Sequence, residues 1–128
     1  MKIVTDFKEI NNIAKEIGKI KNVKAVYLFG SYATEKHHAL SDIDLCVIGD
    51  LTEKEEYKIL GYGSDNFDIS PFNRLPISIR FRVFKEGKPL LINDKEYIRL
   101  LRIKTLRDYL DFKWIINKYI RETLNVQP

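Results

Sequence analysis

A chain of 128 residues with 22 Lys and Arg against 18 Asp and Glu carries a net charge of +4 and suits one domain with a real core. The single cysteine, Cys46, excludes an intrachain disulfide and fits a reducing, cytosolic setting, and no run of about 18 uncharged apolar residues predicts a membrane span. Charges at Asp6, Lys8 and Glu9 argue against a signal peptide, and the basic excess, much of it after residue 74, forms no stripe of the kind that binds nucleic acid, so DNA is not an expected partner.

Along the chain, Phe7, Ile10, Ile13, Ala14, Ile17 and Ile20 step by threes and fours, which predicts a helix over 6–20. The β-branched and aromatic run 23–29 predicts a strand that ends at Gly30-Ser31. A second strand is expected over 42–48, stopped by Gly49-Asp50. Thr52 followed by Glu55 spells a capping box that opens a helix to about Leu60, closed by Gly61 and Gly63. A third strand is expected over 67–70, before Pro71. A helix follows over 75–85, with Pro76 in its first turn and Gly87 as its stop. Residues 90–92 read as a short edge strand, and 94–125 as one long helix of roughly 45 Å. Strands alternating with helices imply a mixed α+β or α/β domain spanning 1–128, with its core in 1–92 and a helical segment in 94–125.

The last helix has apolar residues on more than one face, among them Leu106, Leu110, Phe112, Trp114, Ile116 and Tyr119. Such a helix is expected to be covered on more than one side. Its own sheet, a second copy of the chain or a different protein would each serve, and Trp114 reads as core or interface.

The residues that carry chemistry cluster around the first two strands. Alternation puts Asp42 and Asp44 on one face, with Cα atoms about 6.6 Å apart, while Ile43, Leu45 and Val47 face the core. Paired carboxylates repel, and a bound divalent cation relieves them; Mg²⁺ takes one or two carboxylates together with substrate phosphates. Gly30-Ser31 ends a strand with a residue that lets a ligand approach the backbone and a hydroxyl that can donate to it. No P-loop and no G-x-G-x-x-G is present. Asp68 reaches the same face as the pair if its strand lies beside 42–48, and three carboxylates could then hold two metals. Asp65, at the turn, is the competitor for that place. Adjacent His37 and His38 read as a solvated loop and Cys46 as a buried apolar residue; Arg74, Arg80 and Arg82 could reach phosphates, but the last two fall on different faces of their helix and would not act together, so a surface role is the default for all three.

Gly30-Ser31, a ten-residue gap, Ser41-Asp42-Ile43-Asp44-Leu45 and a later Asp68 together resemble the DNA polymerase beta superfamily of nucleotidyltransferases, and most of all its minimal prokaryotic members. The resemblance is strongest over 27–70 and looser over 75–92. It implies the nucleotidyltransferase fold, a small mixed sheet flanked by helices, and transfer of a nucleoside monophosphate with release of pyrophosphate. Gly30 and Ser31 would hold the triphosphate, Asp42, Asp44 and Asp68 would bind one or two Mg²⁺, and Asp68 would accept the proton of the attacking hydroxyl. Minimal members commonly act as antitoxins beside a helical HEPN-type ribonuclease toxin, and some adenylylate a tyrosine of that toxin with ATP. The readings implied are therefore a protein adenylyltransferase, an antitoxin that binds and occludes its toxin without transfer, and an enzyme acting on a small molecule. One departure is visible: where the family often has x-A-R-G after Gly-Ser, this chain has Tyr32-Ala33-Thr34-Glu35.

Overall fold

The computed structural model describes residues 7–30 and 42–124. Its elements are α1 (Phe7–Gly18), β1 (Val23–Phe29), β2 (Ile43–Gly49), α2 (Glu53–Leu60), β3 (Phe67–Pro71), α3 (Ile77–Glu86), β4 (Lys88–Ile92) and α4 (Lys95–Leu124), with a 3-10 turn at Phe72–Arg74. The expected elements are present, with shifted ends. Asp42 lies just ahead of β2 rather than in it. Pro71 closes β3, which an edge strand tolerates because no neighbour on its free side needs the missing N–H. Pro76 is the N-cap of α3, extended at φ −59° and ψ 155°, and the helix begins one residue later.

The sheet order is β3-β2-β1-β4. β1 runs antiparallel to β2 and β4, while β2 and β3 are parallel. A parallel step needs a crossover, and α2 supplies it. The capping box at its start is formed: Thr52 Oγ1 accepts from the Glu55 N–H at 3.2 Å, and Glu55 Oε1 accepts from the Thr52 N–H at 2.9 Å. The same Glu55 oxygen accepts from Asn22 Nδ2 at 2.9 Å, tying α2 to the turn before β1.

Strand alternation divides the core in two. Ile43, Leu45 and Val47 join Val26, Leu28, Phe67 and Ile69 under Ile10, Ala14 and Ile17 of α1 and Ile59 of α2. Ala25, Tyr27, Cys46 and Ile48 face the other way, onto Phe72, Val83 of α3 and Ile98 of α4. Tyr27 meets Phe84 edge-on at 5.6 Å, and its hydroxyl accepts from Arg102 Nη2 at 3.1 Å.

The first half of α4 packs on the sheet and on α3, through buried Ile98 and Thr105 and a parallel stack of Phe81 on Tyr109 at 4.0 Å. Its far half does not. Leu110, Phe112, Trp114, Ile115, Ile116, Tyr119 and Leu124 are all exposed, Trp114 by 63%. Of the covers open to this helix, its own sheet therefore serves the first half alone. Four strands about 4.8 Å apart give a sheet far narrower than a helix of 30 residues rising about 1.5 Å each, so the end must overhang. Among the described residues, no helix is long and apolar enough to cross a membrane.

Candidate active site

In β2, Asp44 shares a face with Cys46 and Ile48, the side covered by α3 and α4. It stands in register with Phe29 of β1 on one side and with Asp68 of β3 on the other. Direct pairing of Asp44 with Asp68 is what the parallel β2–α2–β3 unit produces, and it puts Asp68 rather than Asp65 beside Asp44. Asp65 is left exposed in the turn that Ser64 and Phe67 close through two backbone hydrogen bonds of 3.0 and 3.1 Å. Cys46 is fully buried, and burial raises its thiol well above the ordinary range, which suits the expected apolar role.

Asp44 is half-buried, whereas Asp42 and Asp68 are exposed. Burial first, and then the negative charges of Asp68 and Asp42, push the Asp44 carboxyl up to about 6 from an ordinary 3.8. All three acids thus act electrically on one spot at the end of the sheet. Gly30 covers that spot. Its φ of +76° is one that side-chain-bearing residues rarely adopt, and a Cβ placed there would sit 2.5 Å from Asp44 Oδ2. Only glycine lets the chain turn this closely over the carboxylate, so the strand-ending glycine and the strand-opening aspartate form one unit.

The group suits a hard divalent cation. Its donors are carboxylate oxygens, and the repulsion that raises Asp44 is what a cation would relieve. Among the described residues, no group of three or more His, Cys, Asp or Glu side chains is set to hold a metal ion unaided. Mg²⁺ rarely uses such a cage; it takes one or two carboxylates and completes its shell with phosphates and water.

Of the three arginines weighed for phosphate contact and left by default at the surface, one comes to the site. Arg82 of α3 lines a small hollow together with Phe29, Gly30, Ile79 and Glu86, on the sheet face that carries Asp44. The local sequence does not set it apart from Arg74 and Arg80, because only the packing of α3 brings it to the end of β1. Arg74 instead pairs with Glu56 at 3.1 Å, away from the acids, and Arg80 leans over the Phe72 ring at 5.9 Å. Ser31, Thr34, Glu35, Lys36, His37, His38 and Ser41 lie outside the described residues.

The family model described as polymerase beta, nucleotidyltransferase matches residues 8–96. A candidate protein adenylyltransferase of Methanocaldococcus jannaschii is 32% identical over 78 residues, 60% of this chain and 62% of that protein; the match thus spans less than two thirds of the relative. One chain of a toxin-antitoxin crystal structure with AMP-PNP superposes with a TM-score of 0.71 at 20% identity, covering 89% of this chain and 98% of the other. A chain from the complex of a tri-AMPylated HEPN toxin with its MNT antitoxin from Shewanella oneidensis gives 0.64 at 20% identity, covering 91% and 94%. These likenesses establish a shared fold.

Proposed function

Because the chain belongs to the polymerase beta nucleotidyltransferase family, we propose that it transfers a nucleoside monophosphate, AMP from ATP, to a protein hydroxyl in a Mg²⁺-dependent reaction. The observation that carries this reading is the in-register pairing of Asp44 with Asp68 beneath the positive-φ turn of Gly30. In it, Asp42, Asp44 and Asp68 hold one or two Mg²⁺, which when bound would neutralise charge on the triphosphate. Gly30, with Ser31 after it, leaves the backbone open to the phosphates. Asp68 accepts the proton of the attacking hydroxyl, a role that its exposure permits.

The acceptor in this reading is a helical HEPN-type toxin, and the chain is its antitoxin. The overhanging half of α4 supplies the docking face: aromatic and aliphatic side chains that the chain's own fold leaves uncovered are the usual anchors of a protein interface. A second copy of the chain is the rival occupant of that face. Cytosolic ATP and the lone thiol fit a cytoplasmic setting.

The same overhang favours a second reading, neutralisation by occlusion alone. Thr34-Glu35, standing where the family often has Arg-Gly, points the same way. The test mixes the chain with Mg²⁺, ATP labelled at the α-phosphate, and a helical HEPN-type partner, to be sought in the neighbouring reading frame. Label that appears on the partner, and is lost with Asp42→Asn plus Asp44→Asn, supports transfer. An unlabelled but tightly bound partner supports occlusion and removes the catalytic reading.

A further inference from the structure

We infer that Arg82, on the reading above, is the cation that grips the triphosphate at the Gly30 turn. The sequence after Gly30 offers one fixed cation before Asp42, Lys36, and it also carries Glu35. The fold brings a cation from elsewhere. Arg82, Phe29, Gly30, Ile79 and Glu86 enclose a hollow of about 70 Å³. That is room for the oxygens of a phosphoryl group beside the glycine turn.

Two further features fit that role. The Arg82 side chain is 58% exposed, and its Nη2 lies 3.3 Å from Glu86 Oε2. A guanidinium has five N–H donors in a fixed fork, so one edge can rest on Glu86 while another meets a phosphate. Glu86 is also oddly placed for helix stability. It is the last residue of α3, where the helix end is itself negative, and the Arg-before-Glu order is the weaker one for an i,i+4 pair. Holding Arg82 over the glycine turn gives that carboxylate a purpose which helix formation does not. The division of labour is then spatial: Asp42, Asp44 and Asp68 take the metal-bound side of the triphosphate, and Arg82 takes oxygens on the Gly30 side.

The test is titration calorimetry of the full chain with Mg²⁺ and AMP-PNP, and separately with adenosine, alongside thermal melts. Arg82→Gln should raise the Kd for AMP-PNP about tenfold or more, the loss of one charge-assisted phosphate contact. It should leave adenosine binding and the melting temperature unchanged. Arg82→Lys should recover part of the loss, and Arg74→Gln, whose side chain pairs with Glu56 elsewhere, should bind as the unaltered chain does. Three results overturn the inference: AMP-PNP binding that Arg82→Gln does not weaken, equal weakening for AMP-PNP and adenosine, or the same loss in Arg74→Gln. An unaltered chain that fails to bind Mg²⁺ and AMP-PNP at all overturns the nucleotidyltransfer reading itself, which separates the two failures.

Discussion

The two faces of the sheet are built by the same alternation and end up with opposite properties. On the α1 and α2 side, β2 presents Ile43, Leu45 and Val47, and all three are fully buried in one continuous apolar cluster. On the α3 and α4 side it presents Cys46 and Ile48 to the core, but Asp44 at its open end, beside Asp68 and under Gly30. One face maximises burial. The other gives up burial at its end to keep a carboxylate in an unfavourable place. Structures tolerate such local conflict chiefly where a site needs it.

The sharpest way to break this contrast is to remove the conflict. Asp44→Asn should lower nucleotidyl transfer on the order of a thousandfold, since metal and phosphate contacts supply several kcal/mol of catalysis. The same substitution should raise the melting temperature at pH 7.5. The sign follows from proton counting. The folded chain holds the Asp44 proton up to about pH 6, the unfolded chain only to about 3.8. Between those values the native state binds more protons, so stability falls as pH rises, and above about 6 the full cost is present. The stability advantage of the Asp44→Asn variant over the unaltered chain should therefore disappear below about pH 4, as melts across pH 3–8 would reveal. An Asp44→Asn variant that melts lower at neutral pH would contradict the contrast.

On the opposite face the effect should reverse: stability falls and chemistry is spared. Leu45→Ala, one residue along, removes a fully buried side chain and should cost about 2–5 kcal/mol in urea unfolding, with residual folded protein still binding nucleotide. Thr52→Ala, which breaks the capping box of α2, should cost about 1 kcal/mol. Smallest of all is Trp114→Ser on the overhang of α4. It should change unfolding free energy by less than about 0.5 kcal/mol, because that side chain is exposed, yet weaken capture of the helical partner in a binding titration. A large loss of stability there would mean that the chain covers this residue itself.

Much of this was readable beforehand where local chemistry decides. The 3.6-residue step of α1, the Thr52–Glu55 box and the period-two pattern of β2 are each set by neighbours in sequence, and each element formed. Asp68 is preferred to Asp65 because Asp65 sits at a turn, where aspartate is expected for local reasons, and the register places Asp68 opposite Asp44. Two things were not readable. Arg82 reads as one more surface arginine until α3 is laid against the end of β1. The apolar surface of α4 reads equally as core or as interface until the width of a four-stranded sheet limits how much helix it can cover. Both depend on tertiary placement, which no local pattern encodes.

The central claim is that Asp42, Asp44 and Asp68 together make a cation site for a triphosphate. Crystals of the chain grown with Mn²⁺ and AMP-PNP test it through the anomalous signal of the metal. The account predicts a peak bonded to carboxylate oxygens of Asp44 and at least one of the other two, near the 2.0–2.1 Å typical of Mg²⁺ sites, with phosphate oxygens completing the shell. No anomalous peak at these acids while nucleotide is bound, or a peak that persists there in Asp44→Asn, would contradict it.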